Sequence, residues 1–170
     1  MDIYELLHCR TDEDGRDDER VLGIYSTYEK AEQSLARLQD KSYFRDHPEG
    51  FEILEGKIDE TGMREGFVLV WGDEEPDPNP QAPQPWPPLC KPTQYWPNMD
   101  IYLLWHCYTD ERGENEMELG VYSSIDNAEQ GRTLLRDKPG FSDHPEGFAI
   151  VKRRLDETYL NMKPDTPDRS

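Results

Sequence analysis

The sequence predicts an α+β fold of two tandem ββαβ modules that are joined by a proline-rich spacer. Two observations predict it: the chain of 170 residues repeats itself, and each repeat contains three strand-like runs around one amphipathic helix. The repeated strings are MDIYELLHC and MDIYLLWHC (1–9, 99–107), LGIYS and LGVYS (22–26, 119–123), FRDHPEGFEI and FSDHPEGFAI (44–53, 141–150), and DET (59–61, 156–158).

The repeats divide the chain into four intervals. These are a first module (1–72), the spacer (73–98), a second module (99–163) and a polar tail (164–170). A module of about 60 residues buries little apolar surface on its own, so we expect the two modules to pack together.

The first strand of each module has the clearest pattern. Tyr4, Leu6 and His8 share one face of the first strand, and the second repeat keeps the same three residue types at the equivalent positions. In the second repeat both faces of this strand are apolar, which is typical of a central, buried strand. An acidic loop (10–20 or 108–117) and a second strand follow.

A helix is expected after the second strand. In the first repeat we place its start at Ser26, with Glu29 at capping-box spacing, and in the second repeat Ser123 takes the capping role. The predicted apolar faces consist of Tyr28, Ala31, Leu35 and Leu38 in the first helix and Ile125, Ala128, Leu134 and Leu135 in the second.

The string DHPEGF predicts a turn. Pro48 restricts its own φ and favours an extended conformation for His47, while Gly50 stands at the fourth position of a type I turn. A third strand, FEILEGKI or FAIVKRRL, then begins at the phenylalanine. In the first repeat the run EGFVLVWG predicts a further strand at Phe67–Trp71, which either closes the first sheet or extends the second.

The spacer contains nine prolines in 26 residues and is typical of an extended, polyproline-type segment. Its Trp86, Tyr95 and Trp96 allow two interpretations. Either part of the segment lies against a module, or it is a ligand for an SH3 or WW groove. We favour the first interpretation because the prolines lack basic flanks.

All four histidines occupy matched positions, which raises the question of a metal or catalytic site. His8 and Cys9, like His106 and Cys107, are neighbours on a strand, so their side chains point to opposite faces and cannot easily share an ion. We expect His8 and His106 to be hydrogen-bonded in or beside the core. Phosphate-loop, nucleophile-elbow, HExxH and CxxC motifs are absent from the sequence. We therefore predict a protein that is not an enzyme and has no cofactor or metal.

Charge is the strongest compositional signal. The chain has 37 acidic and 19 basic residues, for a net charge of −18. Such a field disfavours nucleic acid and membrane surfaces and favours a basic protein partner, unless the acidity serves only solubility. The candidate partner-binding residues lie in the two acidic loops and the two turns: Asp12, Asp14, Asp17, Asp18, Glu19, His47, Asp110, Glu111, Glu114, Glu116 and His144.

Three further absences bear on location. The first residues lack an export signal, no apolar run is long enough to cross a bilayer, and the three cysteines form no disulfide pattern. We expect a cytoplasmic monomer or homodimer.

The Tyr-x-Leu-x-His-Cys strand, the Gly-x-Tyr-Ser entry to the helix and the Asp-His-Pro-x-Gly-Phe loop resemble those of small bacterial proteins of unassigned function that carry this module once. Such proteins often end in a Glu-Gly-Phe strand, as Glu65–Phe67 does here. The resemblance covers each module but not the spacer, and it implies no catalytic residues. The duplication, and the missing Glu-Gly-Phe strand in the second repeat, depart from that pattern.

These observations favour an acidic, non-enzymatic binding protein. Its most concrete form is an immunity or antitoxin-type inhibitor, in which acidic loops steer a basic toxin and exposed aromatic residues anchor it. The alternative is a metal-dependent or hydrolytic protein that uses the duplicated histidines.

Overall fold

A computed structural model describes residues 1–11, 17–67, 97–110 and 113–159 of the chain. The described residues form two antiparallel sheets, of four and three strands, with few helices. The predicted α+β class is therefore confirmed. The spacer except for its last two residues, the polar tail and residues 68–71 of the predicted fourth strand lie outside the described residues.

The first sheet is built mainly from the first repeat. Its elements, in chain order, are β1 (Asp2–Thr11), β2 (Asp17–Tyr25), the helix α1 (Tyr28–Leu38), the short helix α2 (Ser42–Arg45) and β3 (Phe51–Lys57). The second sheet follows the same order with β4 (Asp100–Asp110), β5 (Gly113–Tyr122), α3 (Ile125–Leu135) and β6 (Phe148–Arg154), and the two-residue strand β7 (Glu157–Thr158) comes last.

The opening strand of each repeat is central in its sheet, as the two apolar faces of the second-repeat strand predicted for that strand. The strand orders are β3-β1-β2-β7 and β5-β4-β6. Both hairpins also carry a register shift at the same place, between Leu6 and Leu7 in the first and between Leu104 and Trp105 in the second. The repeats thus share local irregularities as well as their order of elements.

Each helix packs on its sheet over an equivalent set of buried residues. The first cluster is Leu6, Leu22, Tyr25, Ala31, Leu38 and Phe44, and the second is Leu104, Leu119, Tyr122, Ala128, Leu135 and Phe141. Burying one such aliphatic or aromatic side chain stabilises the fold by about 1.5–3 kcal/mol, so each cluster contributes to the stability of its unit.

The capping residue of each helix stands one position later than predicted. The capping side chains belong to Thr27, which accepts from the Lys30 backbone N–H, and to Ser124, which accepts from Asn127. The hydroxyls of the predicted caps, Ser26 and Ser123, instead donate to the carboxylates of Asp156 and Asp59.

The predicted apolar faces were wrong at their first positions. The side chains of Tyr28 and Ile125 are 46% and 50% exposed. Both stand at the first helical position, where a side chain lies at the edge of the face that contacts the sheet.

The hairpins are longer than predicted and their loops correspondingly shorter. Strand pairing continues to Thr11 opposite Asp17 in the first repeat and to Asp110 opposite Gly113 in the second. The intervals 10–20 and 108–117 were therefore wrong as loops, because most of their residues pair across the strands.

The chain forms two compact units, and each contains a segment of the other repeat. The first unit holds Met1–Ile58 with the described parts of Thr93–Ile101 and Arg153–Ser170. The second holds the described parts of Asp59–Pro92 and Tyr102–Lys152. The two modules that were placed at 1–72 and 99–163 from the sequence are each continuous in the chain and include no segment of the other repeat.

Main-chain hydrogen bonds hold the exchanged segments. In the first unit, β7 pairs with β2, and the backbone N–H of Asp156 donates to the Ile24 carbonyl at 2.8 Å. In the second unit, the N–H groups of Asp59 and Gly62 donate to the carbonyls of Val121 and Leu119. Each repeat therefore supplies the strand-like segment that completes the other repeat's unit.

Candidate functional site

The first pair of matched histidines is buried. His8 on β1 is 1% exposed and His106 on β4 is fully buried, and aromatic rings surround both. The His8 Nε2 atom lies 2.9 Å from the carbonyl oxygen of His47, and the His106 Nε2 atom lies 2.8 Å from that of His144. A carbonyl only accepts, so each Nε2 carries the proton and donates. This confirms that both are hydrogen-bonded core residues.

The accepting carbonyls belong to the DHPEGF turns. His47 also accepts from the Gly50 backbone N–H at 3.2 Å, and Pro48–Gly50 forms one 3₁₀ turn, as the type I pattern predicts. The His47 ψ of 59° departs from the extended value that was expected, because its carbonyl must face both donors. We call each arrangement of buried histidine and turn a histidine latch.

Each latch requires glycine where the turn passes over the buried histidine. A Cβ on Gly50 would meet the Cys9 carbonyl oxygen and lie 2.9 Å from His8 Nε2. A Cβ on Gly147 would meet the Cys107 carbonyl oxygen in the same way. The glycine of the repeated DHPEGF string thus lets the backbone of each turn lie close to the backbone of the opening strand of its repeat.

The second pair of matched histidines is at the surface of the turns. The His47 side chain is 35% exposed with its Nδ1 3.5 Å from Glu49, and the His144 side chain is 34% exposed with its Nδ1 3.9 Å from Glu146. In the second repeat Tyr108 also stacks on the His144 ring at 5.2 Å. His47 further lines an open hollow of about 560 Å³ whose walls carry side chains of both charges.

The buried histidines and Cys107 have defined surroundings inside the fold. Each latch imidazole has one nitrogen committed to a backbone carbonyl. Within the part of the chain that the structure describes, no three His, Cys, Asp or Glu side chains are grouped to hold a metal ion. Burial raises the pKa of the Cys107 thiol, helped by Glu116 and Glu114, so this cysteine is held as the less reactive thiol.

The His106 latch predicts acid sensitivity. Burial lowers the pKa of His106 from its ordinary 6.5, since its Nδ1 has no hydrogen-bond partner among the described residues and a charged ring would be desolvated. The unfolded chain takes up this proton at a higher pH than the folded chain. The free energy of unfolding should therefore fall as pH drops below about 6.5, by at most about 1.4 kcal/mol per pH unit from this one proton.

Urea unfolding at pH 7.5 and 5.5 measures this dependence. His106→Gln is the matched variant, because glutamine keeps a side-chain N–H donor and does not titrate. It should show a smaller loss of stability between the two pH values than the wild type. An equal loss would contradict the assignment.

A second pair of polar sites joins the exchanged segments to the helix starts. In the first unit the Asp156 carboxylate accepts from the Ser26 backbone N–H at 2.8 Å, from the Ser26 hydroxyl at 2.9 Å and from Lys30 Nζ at 2.7 Å. In the second, Asp59 accepts from the Ser123 N–H, the Ser123 hydroxyl and the Asn127 side-chain amide. We call these sites the aspartate clamps.

The aspartate clamp of the first unit resembles a Ser-Lys pair but is not arranged as one. Lys30 Nζ is 2.8 Å from the Ser26 oxygen and 2.7 Å from the Asp156 carboxylate, and it donates a hydrogen bond to each. The Ser26 hydroxyl donates to Asp156. Hydrogen bonding to Ser26 and Lys30 outweighs desolvation and lowers the pKa of Asp156. A carboxylate with a lowered pKa is a weak base for the serine proton.

The threonines of the two DET strings add a further bond to each unit. Thr158 Oγ1 lies 2.9 Å from the Tyr25 hydroxyl, and Thr61 Oγ1 lies 2.7 Å from that of Tyr122. Burial raises the pKa of Tyr122 to about 12. Sequence reasoning missed the role of DET, although the repeated string and the repeated Tyr-Ser pairs were signals of it.

The acidic loops are described only in part. Asp12, Asp14 and Glu111, and the side chains of Asp17 and Asp18, lie outside what the structure describes. The described acidic residues are Glu19 on β2, Asp110 at the end of β4, and Glu114 and Glu116 on β5. Glu19, Glu114 and Glu116 are exposed, and Asp110 is half-buried. His47 and His144 belong instead to the turns.

A third feature of the first unit was not predicted. Tyr4 on β1 and Tyr28 on α1 meet edge to face, with ring centroids 5.8 Å apart. Three exposed acidic residues stand around Tyr4, namely Asp2, Glu29 and Glu55. We call these five residues the aromatic–acidic patch. Desolvation raises the pKa of Tyr4, and Glu55, Asp2 and Glu29 add to the increase.

Comparison with known proteins places the first repeat near one family. Residues 1–67 match the model of a family described as a domain of unknown function (DUF7336). The match supports similarity to an uncharacterised small-domain family over the first repeat. Searches of curated proteins and of solved structures found no match. None of the helices in the described residues is long and apolar enough to cross a membrane.

Proposed function

We propose that this chain is a non-enzymatic acidic protein that binds a basic protein, most concretely as an immunity or antitoxin-type inhibitor in the bacterial cytoplasm. One observation carries the proposal. The matched histidines His8 and His106 and the aspartates of the two DET strings, which could otherwise do chemistry, form the histidine latches and the aspartate clamps inside the fold. What remains for function is the surface, and its dominant property is negative charge.

The charge favours a partner of opposite sign. A net charge of −18 raises the local concentration of cationic proteins and speeds their association, and it penalises anionic partners. Exposed acidic residues on both hairpins, such as Glu19, Glu114 and Glu116, would contribute to that steering. Two similar units would offer two binding surfaces in one chain.

The enzymatic alternative finds less support. A hydrolytic or metal-dependent role for the duplicated histidines needs imidazole nitrogens that face a substrate or ion. His8 and His106 instead lie buried among aromatic rings with Nε2 bonded to the backbone. His47 and His144 are about a third exposed, and each has a single acidic neighbour, Glu49 or Glu146, near its Nδ1.

A charge-matched pair of variants tests the proposal. One variant neutralises the hairpins with Glu19→Gln, Glu114→Gln and Glu116→Gln. The control neutralises three exposed acidic residues elsewhere, with Asp40→Asn, Asp46→Asn and Asp143→Asn. Both variants carry the same net charge, so a difference between them reports on the hairpins and not on charge in general.

The measurement has two stages. Tagged wild-type chain retains partners from extracts of its own cells, and association rates with the purified partner are then measured at 50 and 300 mM salt. We expect a basic partner whose association slows about tenfold for the hairpin variant at low salt, and less for the control. For an inhibitor, co-production of the chain should also restore growth to cells that make the partner. Failure to retain any protein of net positive charge would overturn the proposal.

A further inference from the structure

We propose that the aromatic–acidic patch of the first unit binds an arginine side chain of a basic protein. The inference rests on the proposed function and names the part of the surface that does the binding. Three elements build the patch: β1 supplies Asp2 and Tyr4, α1 supplies Tyr28 and Glu29, and β3 supplies Glu55. The patch therefore belongs to the folded unit rather than to one flexible loop.

The strand register places the members of the patch on one face. Tyr4 stands directly opposite Glu55, and Asp2 stands opposite Lys57 in the antiparallel pairing of β1 with β3. Residues two apart on a strand share a face, as do residues directly opposite each other. Asp2, Tyr4 and Glu55 thus project on the same side, which is also the side where Tyr28 meets Tyr4.

The tyrosines distinguish this patch from other acidic surface of the chain. Carboxylates alone are common on a protein of this charge. Here they surround an aromatic pair of which one member, Tyr28, is 46% exposed. A guanidinium is planar, weakly hydrated and able to stack on an aromatic ring while it donates hydrogen bonds to carboxylates. An aromatic pair among acidic side chains offers both kinds of contact.

None of Asp2, Glu29 and Glu55 forms an ion pair within the described residues. Lys57 stands opposite Asp2 on the same face and offsets part of the negative charge of the patch. After desolvation, Glu55, Asp2 and Glu29 each raise the pKa of the Tyr4 hydroxyl, so all three carboxylates lie close enough to act on a charge placed beside that ring. A cation that enters this field gains from all three.

The second repeat provides an internal comparison. At the positions equivalent to Tyr28 and Glu55 it has Ile125 and Lys152. The residue equivalent to Asp2 is Asp100, and it lies 3.7 Å from Arg154 in an ion pair. The second repeat has therefore replaced the ring and reversed one charge, so we assign arginine binding to the first unit alone.

The test uses the full chain and a defined probe. The probe is the peptide Arg-Gly-Arg-Gly-Arg, and its neutral isostere contains citrulline in place of arginine. Backbone amide chemical shifts, measured while the peptide is added at 50 mM salt, report both the dissociation constant and the location of binding. The wild type should show its largest shifts at residues of β1, α1 and β3 in the patch, and none with the citrulline peptide.

Two variants take the residues that the second repeat already has at these positions. Tyr28→Ile should weaken peptide binding about two- to fivefold by removing the exposed ring, and Glu55→Lys should weaken it about tenfold or more by reversing a charge. Both residues are exposed, so the fold should persist. Asp40→Lys is the control, because it makes the same change in net charge beyond the far end of α1.

The outcomes separate this inference from the proposed function. Selective loss of binding in Tyr28→Ile and Glu55→Lys, but not in Asp40→Lys, would support the patch. Equal binding by all four proteins, with shifts centred on the hairpins, would overturn the patch and leave the proposed function standing. Absence of any binding by the wild type would overturn the patch and also count against a basic partner.

Discussion

Replacing Asp156 by alanine is expected to destabilise the first unit, which contains most of the first repeat, although Asp156 itself belongs to the second repeat. The Asp156 carboxylate is 7% exposed and accepts hydrogen bonds from Ser26 and Lys30. Its removal leaves the Ser26 N–H before α1 without its acceptor and Lys30 without its counter-ion. We expect a loss of about 3 kcal/mol in the free energy of unfolding.

Hydrogen exchange locates the effect of this variant. In Asp156→Ala the backbone amides of β2 and α1 should lose protection, whereas those of α3 should keep it. Asp59→Ala is the matched control, since Asp59 makes the corresponding bonds to Ser123 and Asn127 and should affect α3 instead. Loss of protection in α3 for Asp156→Ala would show that the segments are not exchanged.

The Asp156 clamp also has a pH signature. Because its pKa is lowered in the folded chain, the carboxylate contributes stability above its ordinary value of 3.8. That contribution is lost as pH falls through the lowered pKa. Asp156→Ala should therefore differ most from the wild type near neutral pH and approach it in strong acid.

Replacing Gly147 by alanine is the second change with a large expected effect. The new Cβ would meet the Cys107 carbonyl oxygen and lie 2.8 Å from His106 Nε2, so the turn must move away from β4. Moving the turn breaks the hydrogen bond between His106 and the His144 carbonyl and leaves a buried donor unsatisfied. We expect a loss of about 3 kcal/mol or more.

Urea unfolding with a matched glycine checks this effect. Gly56→Ala is the control, because a Cβ there would meet its nearest neighbour, an Ile3 side-chain carbon, at an ordinary 3.6 Å. Its stability should stay within about 0.5 kcal/mol of the wild type. Gly50→Ala should resemble Gly147→Ala, since the first repeat has the same latch. A stable Gly147→Ala variant would mean that the turn tolerates displacement and that the repeated string has another purpose.

Much of the fold was predictable because it depends on local patterns. Alternation identified the strands, the apolar character of both faces identified β4 as central, and His-Pro-Glu-Gly identified the turn. His8 and His106 were correctly predicted as hydrogen-bonded core residues. The carbonyls they bond could not be predicted, because those partners lie about forty residues away in sequence and meet only in the tertiary fold.

The errors at the helix starts have one physical cause. Each helix is preceded by two adjacent hydroxyl residues, Ser26–Thr27 and Ser123–Ser124, and either could cap it. An aspartate from the other repeat takes the first hydroxyl, so the second becomes the cap. Nothing local reveals this choice. The sequence also does not reveal that each DET segment binds the other repeat. The Tyr-Ser segments of the two repeats are so similar that either one could accept either DET segment.

The candidate site was harder to predict than the fold. The tyrosines of the aromatic–acidic patch belong to patterns that predict a core, and only the late start of α1 leaves Tyr28 exposed. The carboxylates around them come from three separate elements. Charge composition therefore predicts a positive charge for a partner, but it does not point to this patch.

The exchanged segments determine the order in which the chain can finish folding as it leaves the ribosome. The second sheet is complete when β6 ends at Arg154, but the first waits for Asp156 and β7. Asp156 is translated about 100 residues after β3 ends, which takes on the order of 5–20 s at bacterial-type elongation rates. The repeat that is synthesised first is therefore completed last. Until then the edge of β2 that later receives β7 stays open to any chaperone or nascent strand near the exit tunnel.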